Sequence, residues 1–314
     1  MRSPHQPSRR ELLTAGSAAL LGAALPGCAS LARSAESPIA TRPIPRSGER
    51  LPVVGIGTAI VFDFADDAAK FAERRQVLQA LVAGGGRLID TASAYGRAED
   101  RVGDLVADLG LRDKLFLATK VDVRLDLAGA AASMQASLRR LKTGRVDLMQ
   151  AWNVADPRYD FGLLREWQRQ GLCRYVGMTT SFPKQYDAFG DVLGREKPDF
   201  VQLNYSLGDR EAERSLLPAA AHAGAAALVN LPFGRNSLFK KAAGRPLPDF
   251  AAEFGATTWA QFFLKFILSH PAVTAVIPGT DKPEYMLDNL AAGRGALPDA
   301  AMRARMIRYW DTLA

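Results

Sequence analysis

The sequence predicts an α/β protein folded as a TIM (β/α)8 barrel. Eight short, mostly continuous apolar runs recur along the chain, as expected for parallel strands that are buried on both faces. Helical patterns, with apolar residues three and four positions apart, separate these runs. Eight such strand–helix units within about 260 residues are typical of this barrel.

The strands are predicted from their apolar, β-prone composition. The first seven begin 26 to 34 residues apart, which leaves room for one helix in each interval. The eighth begins 49 residues after the seventh, and the glycine- and proline-containing stretch 233–256 within that interval suits a loop that folds over a ligand. The predicted strands cover 53–58, 87–92, 115–120, 147–152, 173–180, 200–206, 226–232 and 275–279.

The helices are predicted from their spacing and their end signals. Three glycines at 84–86 end the first helix, where glycine adopts a left-handed cap at little cost. Pro298 and Asp299 suit the start of a C-terminal helix over 299–313. The clearest helical stripe consists of Leu127, Ala131, Met134, Leu138 and Leu141.

A doubly wound dinucleotide-binding fold is the alternative. Gly55 and Gly57 supply only the first two glycines of its fingerprint, and no helical pattern follows them directly. We therefore prefer the barrel.

The N-terminal residues predict export. Arg9 and Arg10 precede a short apolar run that ends near residue 24, and this arrangement resembles a twin-arginine signal peptide. We therefore expect the protein to be exported to the periplasm. Lipidation of Cys28, which would tether the protein to a membrane, and cleavage after Ala29 both fit the residues around position 28. We divide the chain into a signal peptide (1–28), an extended linker (29–50) and a barrel domain with a C-terminal helix (51–314).

Composition excludes several classes of protein. The chain has 314 residues, 48% of them apolar and 23% charged, as in ordinary globular proteins. Its net charge of +7 is not concentrated in a dense Lys/Arg run, so we expect no nucleic-acid partner. Two cysteines cannot build a disulfide framework, and three scattered histidines predict no metal site.

The ends of the predicted strands indicate a charged site. Chemistry in this barrel takes place at the C-terminal ends of the strands. Asp90 and Lys120 end neighbouring strands, so both side chains point into one mouth. The alternative is that they form a purely structural ion pair, with Tyr95 an ordinary loop residue.

Residues 88–96, Leu-Ile-Asp-Thr-Ala-Ser-Ala-Tyr-Gly, carry the most specific motif. This string resembles the aldo-keto reductase family, in which a Tyr follows a strand-ending Asp by five residues. The resemblance covers roughly residues 45–292, and the ordered motifs together are highly specific. It continues through the motifs at 117–120, 147–150, 177–181, 202–205, 277–280 and 288–289.

The resemblance implies NADPH-dependent reduction of a carbonyl, with a small molecule as substrate. Tyr95 would donate the proton to the carbonyl oxygen. Lys120 would assist it, because a cation beside a phenol favours the phenolate, and Asp90 would hold Lys120 in place.

Trp152 occupies the position of the family's fourth catalytic residue, a His. An indole donates a hydrogen bond but neither accepts one nor relays a proton. Trp152 could polarise a carbonyl through its N–H, or it could plug the site; in either case we expect a narrower, more apolar mouth.

The resemblance also implies a cofactor site at the later strands. Thr179, Thr180 and Gln202 would hold the nicotinamide amide, whereas Asn230 replaces the aromatic residue that stacks on the ring in many members. Lys282 stands in for the usual arginine at the adenosine 2′-phosphate, since Tyr285 occupies that arginine's position. The remaining candidates are Gly57, Thr58, Asp90, Leu231, Pro232, Phe233, Gly234, Gly279, Thr280, Asp288 and Asn289.

Three functions follow from these residues. The first is an exported NADPH-dependent oxidoreductase that acts on a small carbonyl compound or an activated double bond. The second is a nicotinamide-cofactor-binding scaffold or sensor with little catalysis, because Trp152 closes the site. The third is a barrel hydrolase or isomerase that uses Asp90 and Lys120 without a nicotinamide.

Overall fold

A computed structural model of the chain describes residues 37–313. The predicted signal peptide, with Arg9, Arg10 and Cys28, lies outside the described residues. Within 37–313, no helix combines the length and the apolar character that crossing a membrane requires.

The described residues form the predicted parallel barrel. Its eight strands are hydrogen-bonded in chain order. Most lie within three residues of the bounds expected from the sequence. They are β3 (Ile56–Gly57), β4 (Leu88–Asp90), β5 (Phe116–Asp122), β6 (Val146–Trp152), β7 (Cys173–Thr179), β8 (Phe200–Asn204), β9 (Ala226–Asn230) and β10 (Val273–Val276).

The first and last barrel strands meet through the segment just before β3. Val54 forms a parallel bridge to Val276, and the Gly57 amide donates to the Pro278 carbonyl at 3.2 Å. A Cβ atom on Gly57 would lie 2.9 Å from the Ile277 carbonyl oxygen. Gly57 is therefore required for this close approach of two backbones, whatever it contributes to ligand binding.

Helices surround the barrel and bury their apolar faces against it. Asp67, Asp126, Thr258 and Asp299 each cap the N-terminus of a helix with a side-chain oxygen. Gly85 adopts the left-handed conformation predicted after the first helix. The helices are α1 (Ala68–Ala83), α2 (Ala98–Asp108), α3 (Leu127–Arg140), α4 (Gly162–Arg169), α5 (Tyr186–Glu196), α6 (Leu216–Ala223), α7 (Ser237–Ala242), α8 (Trp259–Leu268), α9 (Pro283–Ala291) and α10 (Ala300–Thr312).

The structure corrects the predicted linker. The described residues of 29–50 are not an extended connection, because β1 (Thr41–Pro43) and β2 (Arg50–Pro52) form an antiparallel hairpin. Ile44 and Leu51 are fully buried in a cluster with inward-facing barrel residues such as Phe116. The packed domain therefore begins before residue 51, since the hairpin covers the N-terminal end of the barrel.

Arg42 attaches this hairpin to the barrel. Its guanidinium donates to the backbone carbonyls of Leu268, His270 and Val273, which are at the end of α8, in the following turn and at the start of β10. These carbonyls would lose a charged donor without it, and an unmade buried hydrogen bond is costly.

We expect Arg42→Met to lower the free energy of unfolding by about 2–3 kcal/mol, because it removes a charged donor from three carbonyls. Urea unfolding of the full chain measures this loss. The control is Arg46→Met, since the more exposed Arg46 donates to one carbonyl, that of Ala223, and should cost about 0.5 kcal/mol or less. Equal stability of the two variants would show that the Arg42 hydrogen bonds to these carbonyls contribute no more than the single bond of Arg46.

Candidate active site

A cavity of about 520 Å³ opens at the C-terminal ends of the barrel strands. Residues at or near the C-terminal ends of every barrel strand except β5 line it, together with the loops that follow β3, β7 and β9. Its rim includes two exposed apolar side chains, Ile60 and Phe182, which are 81% and 40% exposed. The site therefore combines a polar floor with an apolar entrance.

A buried ion pair forms the floor. The Lys120 ammonium lies 2.6 Å from one Asp90 carboxylate oxygen and also donates to the Thr91 carbonyl at 2.8 Å. Both charged side chains are almost fully buried. Adjacent strands β4 and β5 bring them together by their register, which pairs Asp90 with Ala118, two residues before Lys120.

Tyr95 lies directly against this pair. The Lys120 ammonium is 4.9 Å from the centre of the Tyr95 ring. Burial alone would favour the neutral amine, but Asp90 and Tyr95 outweigh it and raise the pKa of Lys120 above its ordinary value. Lys120 is therefore a cation at any physiological pH, positioned to stabilise negative charge on the Tyr95 oxygen.

Two glutamines complete the surroundings of Asp90. Gln150 and Gln202 donate from their amide nitrogens to the second Asp90 oxygen, at 3.1 and 2.7 Å. Gln150 is fully buried on β6, two strands away from Asp90, and it is absent from the site residues expected from the sequence. The sequence feature that could have identified Gln150 as a site residue is its position two residues before Trp152, which places both side chains on the same face of β6.

Trp152 forms the wall beside Tyr95. The two rings pack edge to face, with centroids 6.4 Å apart and planes at 88°. The indole N–H makes no hydrogen bond to any residue within 37–313, so it can donate to a ligand in the cavity. Asn153, the next residue, adopts a left-handed backbone conformation, and its backbone N–H donates to the Thr179 hydroxyl at 3.1 Å.

The structure brings together most of the residues expected from the sequence. Lys120 lies beneath the cavity surface, in contact with Asp90 and Tyr95. Those that line the cavity are Gly57, Thr58, Asp90, Tyr95, Trp152, Thr179, Gln202, Asn230, Leu231, Pro232, Phe233 and Gly279.

Other expected residues do not line this cavity. The Thr180 hydroxyl bonds to Gln185, and Lys282 lies against the Tyr285 ring. Asp288 accepts hydrogen bonds from Thr258 and Gln261 at the start of α8. Gly234, Thr280 and the buried Asn289 also lie away from the cavity wall.

The cavity also contains residues that sequence reasoning missed. Arg235 and Asn236 lie in the loop after β9, at the start of the stretch that the sequence predicted to fold over a ligand. Asn153, Ser181 and the β3-loop residues 59–61 gave no signal of their own, because loop residues follow no periodic pattern. Among residues 37–313, no three His, Cys, Asp or Glu side chains are grouped as metal ligands.

Comparison with known proteins identifies the family. Residues 53–305 match the model described as "Aldo/keto reductase family". Methylglyoxal reductase YeaE of Escherichia coli is 30% identical over 237 residues, covering 72% of this chain and 80% of that protein. Aldo-keto reductase YhdN of Bacillus subtilis is 31% identical over 160 residues, a match that spans about half of each protein (46% of this chain, 47% of YhdN).

The fold comparison agrees. A crystal structure of an aldo-keto reductase from Klebsiella pneumoniae in complex with NADPH superposes with a TM-score of 0.72 at 23% identity, covering 87% of this chain and 95% of that one. The fold and the family match define an oxidoreductase built on a TIM barrel. The chain belongs to the aldo/keto reductase family, so the predictions of fold and family are confirmed.

The ion pair makes a pH-dependent prediction for Asp90→Asn. In the wild type, the raised pKa of Lys120 favours folding at every pH below about 10.5, and this contribution is lost as the pH rises through the folded-state pKa. In the variant, burial dominates and lowers the pKa of Lys120 below 10.5. The unfolded chain then binds more protons, so the variant gains stability as the pH rises.

We expect a loss of about 3–5 kcal/mol for Asp90→Asn at pH 7, with the gap to the wild type narrowing toward pH 9.5. Urea unfolding across this range measures it. The control is the difference in unfolding free energy between Lys120→Met and the double variant Asp90→Asn/Lys120→Met. This difference should not narrow toward pH 9.5 in the same way. If the difference in unfolding free energy between the wild type and Asp90→Asn stays constant with pH, Asp90 does not raise the pKa of Lys120.

Proposed function

We propose that this protein is an NADPH-dependent oxidoreductase that reduces a small carbonyl compound or an activated double bond. The observation that carries the proposal is the buried Lys120 ammonium, held 2.6 Å from Asp90 and 4.9 Å from the Tyr95 ring at the floor of an open cavity. A purely structural ion pair needs neither the tyrosine nor the cavity. This combination suits acid catalysis by a phenol.

The protein's part in the reaction is a proton transfer. Bound NADPH supplies the hydride that reaches the carbonyl carbon. The Tyr95 O–H donates its proton to the carbonyl oxygen, which becomes the alcohol oxygen, and the resulting phenolate is stabilised by Lys120. Asp90 keeps Lys120 charged and in place, and the two glutamine amides fix the Asp90 carboxylate.

The residues present fit a nicotinamide nucleotide. Thr179, Gln202 and Asn230 supply polar groups at adjacent strand ends, and one of them, the Asn230 amide oxygen, is buried without a partner. Arg235 adds an exposed cation beside Leu231–Gly234, where the pyrophosphate is expected. The similar Klebsiella protein was crystallised with NADPH, and Lys282 offers a charge for a 2′-phosphate.

Trp152 and the apolar rim define the substrate. Trp152 lines the cavity beside Tyr95, and its indole N–H has no partner among residues 37–313, so it is available to polarise a carbonyl oxygen bound next to Tyr95. Ile60 and Phe182 at the entrance favour substrates with an apolar or aromatic body. The relative YeaE is named for reduction of methylglyoxal, a small carbonyl compound.

The second candidate is a protein that binds the cofactor but catalyses little. The close edge-to-face packing of Trp152 on Tyr95 favours it, because a ring of this size beside the proton donor can occupy the space of a substrate. Catalytic turnover with the cofactor bound separates the two functions.

The test is NADPH oxidation by the full chain with an activated aromatic aldehyde, beside Trp152→His and Tyr95→Phe. If Trp152 works in the site, the wild type turns over at least comparably to Trp152→His, and Tyr95→Phe loses about 10²–10⁴-fold in kcat. If only Trp152→His is active, the wild type fits the second candidate, a cofactor-binding protein that catalyses little reduction of carbonyl substrates. Failure of the wild type to bind any nicotinamide nucleotide would favour the hydrolase or isomerase function.

We also propose export by the twin-arginine route to the periplasm, with Cys28 as a site for lipid attachment. The supporting observation is the order of the Arg pair, the short apolar run and Cys28 in the sequence. This route carries folded proteins, so the cofactor could be loaded in the cytoplasm.

Replacing Arg9 and Arg10 with Lys should abolish export, because the route reads the guanidinium pair itself. Fractionation of cells that express the full chain measures the periplasmic share. Cys28→Ala in the same assay separates membrane attachment from export. Unchanged export of the double Lys variant would show that another route is used.

A further inference from the structure

A chain of side-chain amides leads from the buried ion pair to the wall of the cavity. Gln202 donates from its amide nitrogen to Asp90 at 2.7 Å, and its amide oxygen faces the Asn230 amide nitrogen at 3.5 Å. The Asn230 nitrogen also donates to the Thr180 carbonyl at 3.3 Å. The three strands β4, β8 and β9 each contribute one member.

The charge of Asp90 sets the direction of every bond in this chain. A carboxylate only accepts hydrogen bonds, so the nitrogen of the Gln202 amide must face it. The Gln202 oxygen then points toward Asn230, and the Thr180 carbonyl is likewise an acceptor. Asn230 must therefore present its nitrogen to both partners, because the flipped amide would place oxygen against oxygen.

This direction leaves the Asn230 amide oxygen without a donor. It is one of two buried side-chain polar atoms without a hydrogen-bond partner among the described residues, the other being the Thr91 hydroxyl. Of the two residues, Asn230 lines the cavity and Thr91 does not. A buried acceptor without a donor is unfavourable, and a ligand that brings an N–H group would satisfy it.

The Asn230 amide has room to meet a ligand. The residue as a whole is partly exposed, and its two hydrogen bonds, at 3.3 and 3.5 Å, are longer than the usual 2.9–3.0 Å. The amide oxygen itself is buried, so meeting a ligand requires the side chain to rotate, and such a rotation would give up only these two long hydrogen bonds. The neighbouring Gln202, in contrast, is held firmly by Asp90.

We propose that the Asn230 amide oxygen accepts a hydrogen bond from the carboxamide N–H of the nicotinamide and thereby orients the ring. This rests on the proposed function, because it assumes that a nicotinamide nucleotide binds here. In this assignment, Asn230 replaces stacking on the ring by a directional hydrogen bond. Asp90 then has two effects, since it holds Lys120 and also sets the orientation of the amide that positions the cofactor.

The test compares two reduced cofactors that differ in one group. NADPH carries the carboxamide, whereas its 3-acetylpyridine analogue has a methyl group in place of the amide nitrogen. Quenching of tryptophan fluorescence gives the Kd of each for the full-length wild type and for Asn230→Leu, which keeps the shape of the side chain. The ratio of the two Kd values reports the N–H contact independently of turnover.

We expect the wild type to bind NADPH about tenfold more tightly than the analogue, and Asn230→Leu to reduce this ratio to about twofold or less. Asn230→Ala provides a second, smaller variant that should reduce the ratio in the same way if the leucine perturbs folding. The control is Asn236→Gly, which removes another cavity-lining amide and suits the left-handed backbone there, and it should keep the wild-type ratio.

The outcomes separate this inference from the function on which it rests. If Asn230→Leu and Asn230→Ala bind both nucleotides with the wild-type ratio, the carboxamide contact is overturned and the oxidoreductase proposal stands. If Asn236→Gly lowers the ratio as much as the Asn230 variants do, the assignment to Asn230 is overturned. If the wild type binds neither nucleotide, both proposals fail.

Discussion

The buried ion pair between Asp90 and Lys120 is the constraint on which the rest of the site depends. Two charges that are almost completely removed from water can persist only as a pair with every remaining lone pair and proton satisfied. The Thr91 carbonyl accepts a further hydrogen bond from Lys120, and the amides of Gln150 and Gln202 donate to the second Asp90 oxygen, so each charge has partners beyond the other. The result is a cation fixed against the Tyr95 ring, which an isolated lysine in water could not provide.

This arrangement requires a rigid, closed barrel. The strands that carry Asp90, Lys120 and Gln202 are held in register by their neighbours, and the barrel closes where a glycine at 57 lets two backbones approach. At the opposite end, the N-terminal hairpin buries Ile44 among inward-facing side chains. The hairpin residues 41–52 are therefore part of the scaffold, although none of them lines the cavity.

Two residues shape the chemistry of the cavity wall. Trp152 supplies a large apolar wall and a donor that cannot relay a proton. Asn230 supplies an amide whose nitrogen meets Gln202 and whose buried oxygen has no hydrogen-bond partner among the described residues. Both residues stand at strand ends, where a change of side chain alters recognition without disturbing the barrel core.

The sequence by itself predicted the barrel class from its apolar runs and predicted Asp90 and Lys120 as site candidates from their strand-end positions, because both signals are local properties of the chain. Tyr95 was predicted from the resemblance of residues 88–96 to the family motif. The sequence also predicted α10 from its cap at Asp299. It missed the hairpin at 41–52 and the role of Gln150, and it did not show that Asp288 binds the start of α8. The tertiary structure decided these features, since the bonds of Gln150 and Asp288 and the packing of the hairpin on the barrel join residues far apart in the chain. The direction of the amides likewise follows from the charge that they meet across the barrel, and no single segment encodes it.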